Sequence, residues 1–69
     1  MPIVKIHILE GRDTATKHEL IRNVSRTIEE TLKVPAESIR VILQEMPPDH
    51  YGVAGLPVME YRLKKSRDR

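Results

Sequence analysis

Two runs of β-branched and aliphatic residues, Ile3–Leu9 and Ile39–Met46, bracket a stretch whose apolar positions recur at helical spacing, and this order leaves few folds open. Between Thr14 and Lys33, the residues Leu20, Ile21, Val24, Ile28 and Leu32 fall within an arc of roughly 120° at 100° per residue, which predicts an amphipathic helix. Arg22, Arg26, Glu29 and Lys33 take the opposite, solvated side. Glu10-Gly11-Arg12-Asp13 reads as the entering turn, with Gly11 free to adopt unusual backbone angles and Asp13 placed to cap the helix. Val34-Pro35 ends it, because a residue before proline is driven out of helical geometry. Strand, helix and strand joined by short links form a βαβ unit, with parallel strands and a right-handed crossover. The predicted fold is therefore α/β. One βαβ unit is followed by a proline- and glycine-rich loop over residues 46–58 and a short C-terminal hairpin or arm ending near Leu63, and residues 1–69 make one domain.

Each strand carries apolar side chains on both faces. In the first, Val4, Ile6 and Ile8 point one way while Ile3, Lys5, His7 and Leu9 point the other, and a single helix covers only one side. A chain of 69 residues buries about 60% of its unfolded surface, which gives a marginal core. There is no cysteine to supply a disulfide or a thiolate metal ligand, so self-association is the remaining staple. The uncovered sheet face and an arm bearing Tyr51, Leu56, Val58, Met59 and Tyr61 are expected to pack on neighbouring subunits.

Charge excludes little, since the formal net charge is only +2. The basic stretch from Arg62 to Arg69 supplies most of the excess and reads as a solvated, frayed end. No apolar run approaches the roughly 20 residues of a membrane span, and no charged-then-apolar leader precedes the first strand, so a cytoplasmic protein is expected. The histidines His7, His18 and His50 fall on a strand, a helix and a loop, with no spacing that would gather metal ligands. No cofactor motif is present, because no glycine-rich phosphate loop opens the helix. Gly52-Val53-Ala54-Gly55 matches a nucleic-acid-binding GxxG loop only formally, lacking basic residues and flanking helices.

Pro2 is the most suggestive chemical feature. Removal of Met1 would leave it a free secondary amine at the head of a strand, where the terminus is held by the sheet. An amine is a general base only when neutral: at a pKa near 7.8, roughly 14% is neutral at pH 7, and lowering it by about one unit gives roughly 60%. A proline amine starts higher and needs a larger shift. Arg12 and Arg40, at the end of the first strand and the start of the second, are the cations that would depress it, and their planar forks suit an acidic substrate.

Pro2-Ile3, Ile6-His7-Ile8-Leu9-Glu10-Gly11-Arg12, Leu20-Ile21-Arg22 with Val24-Ser25, Ser38-Ile39-Arg40-Val41-Ile42, and Glu45-Met46 with His50-Tyr51-Gly52 together resemble the 4-oxalocrotonate tautomerase family. The resemblance implies a hexamer, a trimer of dimers, made of one chain or of two similar chains. It implies that Pro2 shuttles a proton between the hydroxyl and a conjugated carbon of an unsaturated 2-hydroxy acid such as 2-hydroxymuconate. Arg12 would grip a carboxylate, Arg40 from a neighbouring subunit would polarise the 2-hydroxy or 2-oxo end, and Leu9, Ser38 and Tyr51 would contact substrate. Tyr51 stands where the family usually has phenylalanine. Dehalogenation of a haloacrylate-like acid is a weaker alternative, because no carboxylate lies between His50 and Val58 to activate water and nothing in the spacing places Asp49 over a substrate. A non-catalytic oligomer, with the basic tail bound to an acidic partner or to nucleic acid, is the other; two tyrosines away from a stacking pattern give nucleic acid little support.

Overall fold

A computed structural model describes residues 1–67 of the chain. Strand β1 (Ile3–Leu9) leads through the Gly11 turn into helix α1 (Thr14–Leu32), and strand β2 (Arg40–Met46) returns parallel to β1. The two strands are direct neighbours, from Ile3 opposite Arg40 to Leu9 opposite Met46. This is the predicted βαβ unit.

Local chemistry sets its boundaries. The Asp13 carboxylate accepts the Thr16 N–H at 2.9 Å and starts α1, while Lys33 adopts left-handed geometry (φ 57°) and its N–H closes on the Glu29 carbonyl. The helix thus ends one residue before the expected position, with Lys33 as its cap. Ile39, read as the first residue of β2, instead closes a single 3-10 turn over Ala36–Ser38 and is, with Val58, one of two buried apolar residues among the described residues.

Exposure alternates strictly along most of β1: Val4, Ile6 and Ile8 are half-buried, while Ile3, Lys5 and His7 are exposed. In parallel register, Val41, Leu43 and Glu45 share the first face, and α1 fastens to it through the Lys17 Nζ–Glu45 Oε1 ion pair at 2.9 Å. The other face presents Ile3 (59% exposed) and Ile42 (47%) without cover.

Past β2, a 3-10 turn (Pro48–His50) leads to a hairpin of β3 (Gly52–Val53) and β4 (Leu56–Pro57), as expected. Ala54 (φ 55°) and Gly55 (φ 81°) both have positive φ, the requirement of a tight two-residue hairpin turn, which accounts for the GxxG spelling without nucleic acid. The expected arm is different: residues Val58–Arg67 form a second helix, α2, reaching beyond Leu63 and taking in most of the basic tail. Of that tail, Asp68 and Arg69 lie outside the described residues. Val58, expected to wait for a neighbour, is 3% exposed within its own chain, whereas Met59 and Leu63 stay open.

The result is long and thin, 48 × 22 × 21 Å, with a radius of gyration of 16.1 Å. A compact chain of this length has a radius near 11 Å. Its accessible surface of 5602 Å² exceeds by about a quarter the roughly 4,500 Å² expected of a folded monomer of this mass. The excess is the surface that one helix and one hairpin leave uncovered. Among the described residues, no helix is long and apolar enough to cross a membrane.

Candidate active site

Pro2 immediately precedes β1 and is half-buried. Its carbonyl accepts the Arg40 N–H at 3.0 Å, so the ladder extends one residue beyond the strand and holds the ring in place. With Met1 attached, the ring nitrogen is an amide; Met1 itself is 78% exposed.

Two further residues gather at this end. The Ser38 hydroxyl and N–H both donate to the Pro35 carbonyl, at 2.8 and 3.0 Å, which leaves the hydroxyl oxygen's lone pairs for a ligand. Arg40 is exposed, and its Nη1 donates to the Glu37 carbonyl at 2.6 Å and, at the 3.5 Å limit, to that of Ile39. The guanidinium is thereby tied to the 3-10 turn, and Nε and Nη2 make no protein hydrogen bond among the described residues.

The remaining predicted residues lie at the opposite end of the sheet. Leu9 is the last residue of β1 and half-buried. Arg12 is exposed, its Nη1 donating to the Leu9 carbonyl at 3.3 Å, and its backbone is fixed between Gly11 (φ 129°) and the Asp13 cap. The Asp13 carboxyl is held below the usual carboxylate range, first by its hydrogen bond from Thr16, with a smaller contribution from the charge of Lys17. Tyr51 follows β2 by five residues. Its backbone is pinned on both sides, N–H to the Pro48 carbonyl at 3.1 Å and carbonyl to the Val58 N–H at 2.8 Å, while the residue is 43% exposed.

Seven strand residues at about 3.3 Å each put roughly 20 Å between the two ends. The structure therefore brings Pro2, Ser38 and Arg40 together, and it separates them from Leu9, Arg12 and Tyr51. Five residues, three of them in a 3-10 turn, are too few to carry Tyr51 back along β2. The six candidate residues of one chain thus fall into two groups, one at each end of the sheet.

The three histidines are not brought together, and the described residues contain no group of three metal-ligating side chains. The sequence reading missed a cleft between the hairpin and α2, lined by Ala54, Leu56, Tyr61, Lys64 and Lys65. Its signal was the Lys64-Lys65 pair, read as part of a solvated tail.

Comparison with known proteins gives a consistent result. A family model described as tautomerase enzyme matches residues 2–61. A 2-hydroxymuconate tautomerase of Stutzerimonas stutzeri is 53% identical over 55 residues, covering 80% of this chain and 87% of the relative. Among solved structures, a 4-oxalocrotonate tautomerase homologue of the tomaymycin biosynthetic pathway superposes with a TM-score of 0.85 at 35% identity, covering 90% of this chain and 95% of the other. A heterohexamer 4-oxalocrotonate tautomerase from Chloroflexus aurantiacus J-10-fl does so with 0.83 at 40% identity, covering 87% and 97%. The matched segment begins at Pro2 and ends inside α2.

Proposed function

Because the chain belongs to the tautomerase family, an isomerase family whose βαβ fold it shares, we propose that it ketonises an unsaturated 2-hydroxy dicarboxylic acid of the 2-hydroxymuconate type, with Pro2 as the base. One observation carries the reading: Pro2 is locked at the head of β1 by its carbonyl, so removal of Met1 frees a secondary amine in a fixed position. In the reaction the Pro2 nitrogen takes the 2-hydroxyl proton. The C–O bond becomes a carbonyl, the diene electrons shift along the chain, and the prolinium returns a proton to a conjugated carbon. No cofactor is needed for this transfer.

The two groups of candidate residues act as half-sites in this reading, and their separation supports a site shared between copies. Arg12 is too far from Pro2 in its own chain, so a neighbouring copy supplies it, together with Leu9 and Tyr51. Arg12 binds a carboxylate through its fork, and Arg40 draws electron density toward the 2-oxygen as charge develops there. Ser38 contacts the substrate through its hydroxyl, and the Tyr51 ring walls the amine from water, with its hydroxyl making that wall more polar than a plain phenyl ring. Exposed Ile3 and Ile42 find their cover in the same association, which we take to be a cytoplasmic homohexamer; pairing with a second, similar chain is the alternative composition.

Intact-mass measurement of the native protein, followed by a 2-hydroxymuconate ketonisation assay on wild type and Pro2→Ala, tests the reading. Absence of Met1 and loss of most activity in the variant support it. Retained Met1, or an unchanged rate, turns the protein into a binding or structural oligomer.

A further inference from the structure

A single peptide plane links Pro35 to the Arg40 guanidinium at the Pro2 end of the sheet. Its N–H belongs to Ser38 and donates to the Pro35 carbonyl at 3.0 Å, while its C=O belongs to Glu37 and accepts from Arg40 Nη1 at 2.6 Å. Because a peptide unit is planar and rigid, whatever orients its N–H also orients its carbonyl. Two bonds do the orienting, since the Ser38 hydroxyl donates to the same Pro35 carbonyl at 2.8 Å. Pro35 is itself confined by its ring, at φ −67° and ψ 146°, and the Ile39 N–H closes the turn on the Ala36 carbonyl at 3.1 Å.

Arg40 is therefore held at both ends. Its backbone N–H is fixed on the Pro2 carbonyl at 3.0 Å, and its guanidinium on the Glu37 carbonyl, with the Ile39 carbonyl at 3.5 Å as a weaker second acceptor. Those two carbonyls account for both hydrogens of Nη1. The Nε–H and one Nη2–H lie side by side on another edge of the planar group, a pair that can donate in parallel to two oxygens. An exposed arginine without such ties samples many rotamers and loses that freedom on meeting a ligand.

We infer that Ser38 is a positioning residue for Arg40: its hydroxyl, bonded to Pro35, sets the Glu37–Ser38 peptide plane so that the guanidinium keeps its Nε/Nη2 edge free for developing negative charge. The inference rests on the part given to Arg40 in the proposed reaction. It adds to the substrate contact of Ser38 a second role that needs no touch of substrate.

The test is a double-mutant cycle in the native oligomer, read by kinetics and by NMR of isotope-labelled arginine, with the Arg40 signals assigned by their loss in Arg40→Lys. Ser38→Ala is expected to lower kcat for 2-hydroxymuconate about fivefold, the loss of one hydrogen bond, and Ser38→Thr, which keeps the donor, to restore most of it. Because Ser38 acts through Arg40, Ser38→Ala adds no further loss once Arg40→Ala is present. A hydroxyl that worked only by touching substrate would give the same loss in both backgrounds, which overturns the inference. Independently of turnover, the wild-type guanidinium gives separate Nη1 and Nη2 resonances because its rotation is restrained; they merge in Ser38→Ala and stay apart in Ser38→Thr. Arg40 signals in Ser38→Ala that match wild type also overturn it. If Pro2→Ala leaves the rate unchanged, the tautomerase reading fails and the NMR comparison decides the Ser38–Arg40 link; if Pro2→Ala abolishes activity and the cycle is additive, only this inference fails.

Discussion

The two ends of the β1–β2 sheet are built differently. At the Pro2 end the backbone does the positioning: the Pro2 carbonyl continues the parallel ladder, and the 3-10 turn that launches β2 holds both Ser38 and the Arg40 guanidinium. At the other end the strand has already finished, and Arg12 and Tyr51 sit on turns fixed by a helix cap and by the hairpin root. In the proposed mechanism the first end offers a base and the second a carboxylate fork, and the strand keeps them roughly 20 Å apart. On the proposed mechanism, the site is complete only when one copy's beginning meets another copy's end.

Several perturbations break or sharpen that contrast. The largest effect is expected from blocking the amine: a Gly-Ser extension ahead of Pro2 turns it into an amide and lowers kcat about 10²–10⁴-fold, the usual contribution of a positioned base, without changing oligomer size. At the opposite end, Arg12→Ala removes a charge-assisted contact and lowers kcat/KM by roughly 10–100-fold. Its effect falls mainly on KM, and Arg12→Lys recovers only part of the loss because an ammonium lacks the fork. Steady-state kinetics on the pair separate the two ends by which parameter moves.

Smaller effects are structural. Ala54 occupies left-handed geometry that costs an L-residue about 1–2 kcal/mol, so Ala54→Gly or Ala54→Asn is expected to raise the denaturation midpoint. The gain is largest for Asn, which tolerates that geometry without adding backbone freedom to the unfolded chain. Asp13 provides a pH signature. Its folded pKa is lowered, so its stabilisation is fully present above the unfolded value near 3.9 and is lost as pH falls through the folded value. Asp13→Asn flattens the acid limb of the stability profile in that window.

Much of this architecture is legible in the sequence because its determinants are local. β-Branched runs, the Asp13 cap and the Val34-Pro35 stop each act within a few residues, and they mark the βαβ unit to within one residue at the end of α1 and the start of β2. Helix α2 was not legible. It buries only Val58, so it shows no long apolar stripe, and the prolines and glycines just before it draw the eye to loop chemistry. The available signal was compositional: after Pro57 come twelve residues without glycine or proline, most of them good helix formers. Of the candidate site, residue identities were readable from the resemblance. Their division between two ends of one strand follows from the parallel register, which no single residue announces.

Subunit complementation tests the shared site most directly. Pro2→Ala and Arg12→Ala chains, each nearly inactive alone, are unfolded, mixed in equal amounts and refolded, and mixed oligomers are verified by native mass. If Pro2 and Arg12 of one site come from different chains, random assortment makes about a quarter of the sites wild type, and the mixture regains about a quarter of wild-type activity. Verified mixed oligomers with no more activity than the two parents would place both residues in one chain and contradict the account.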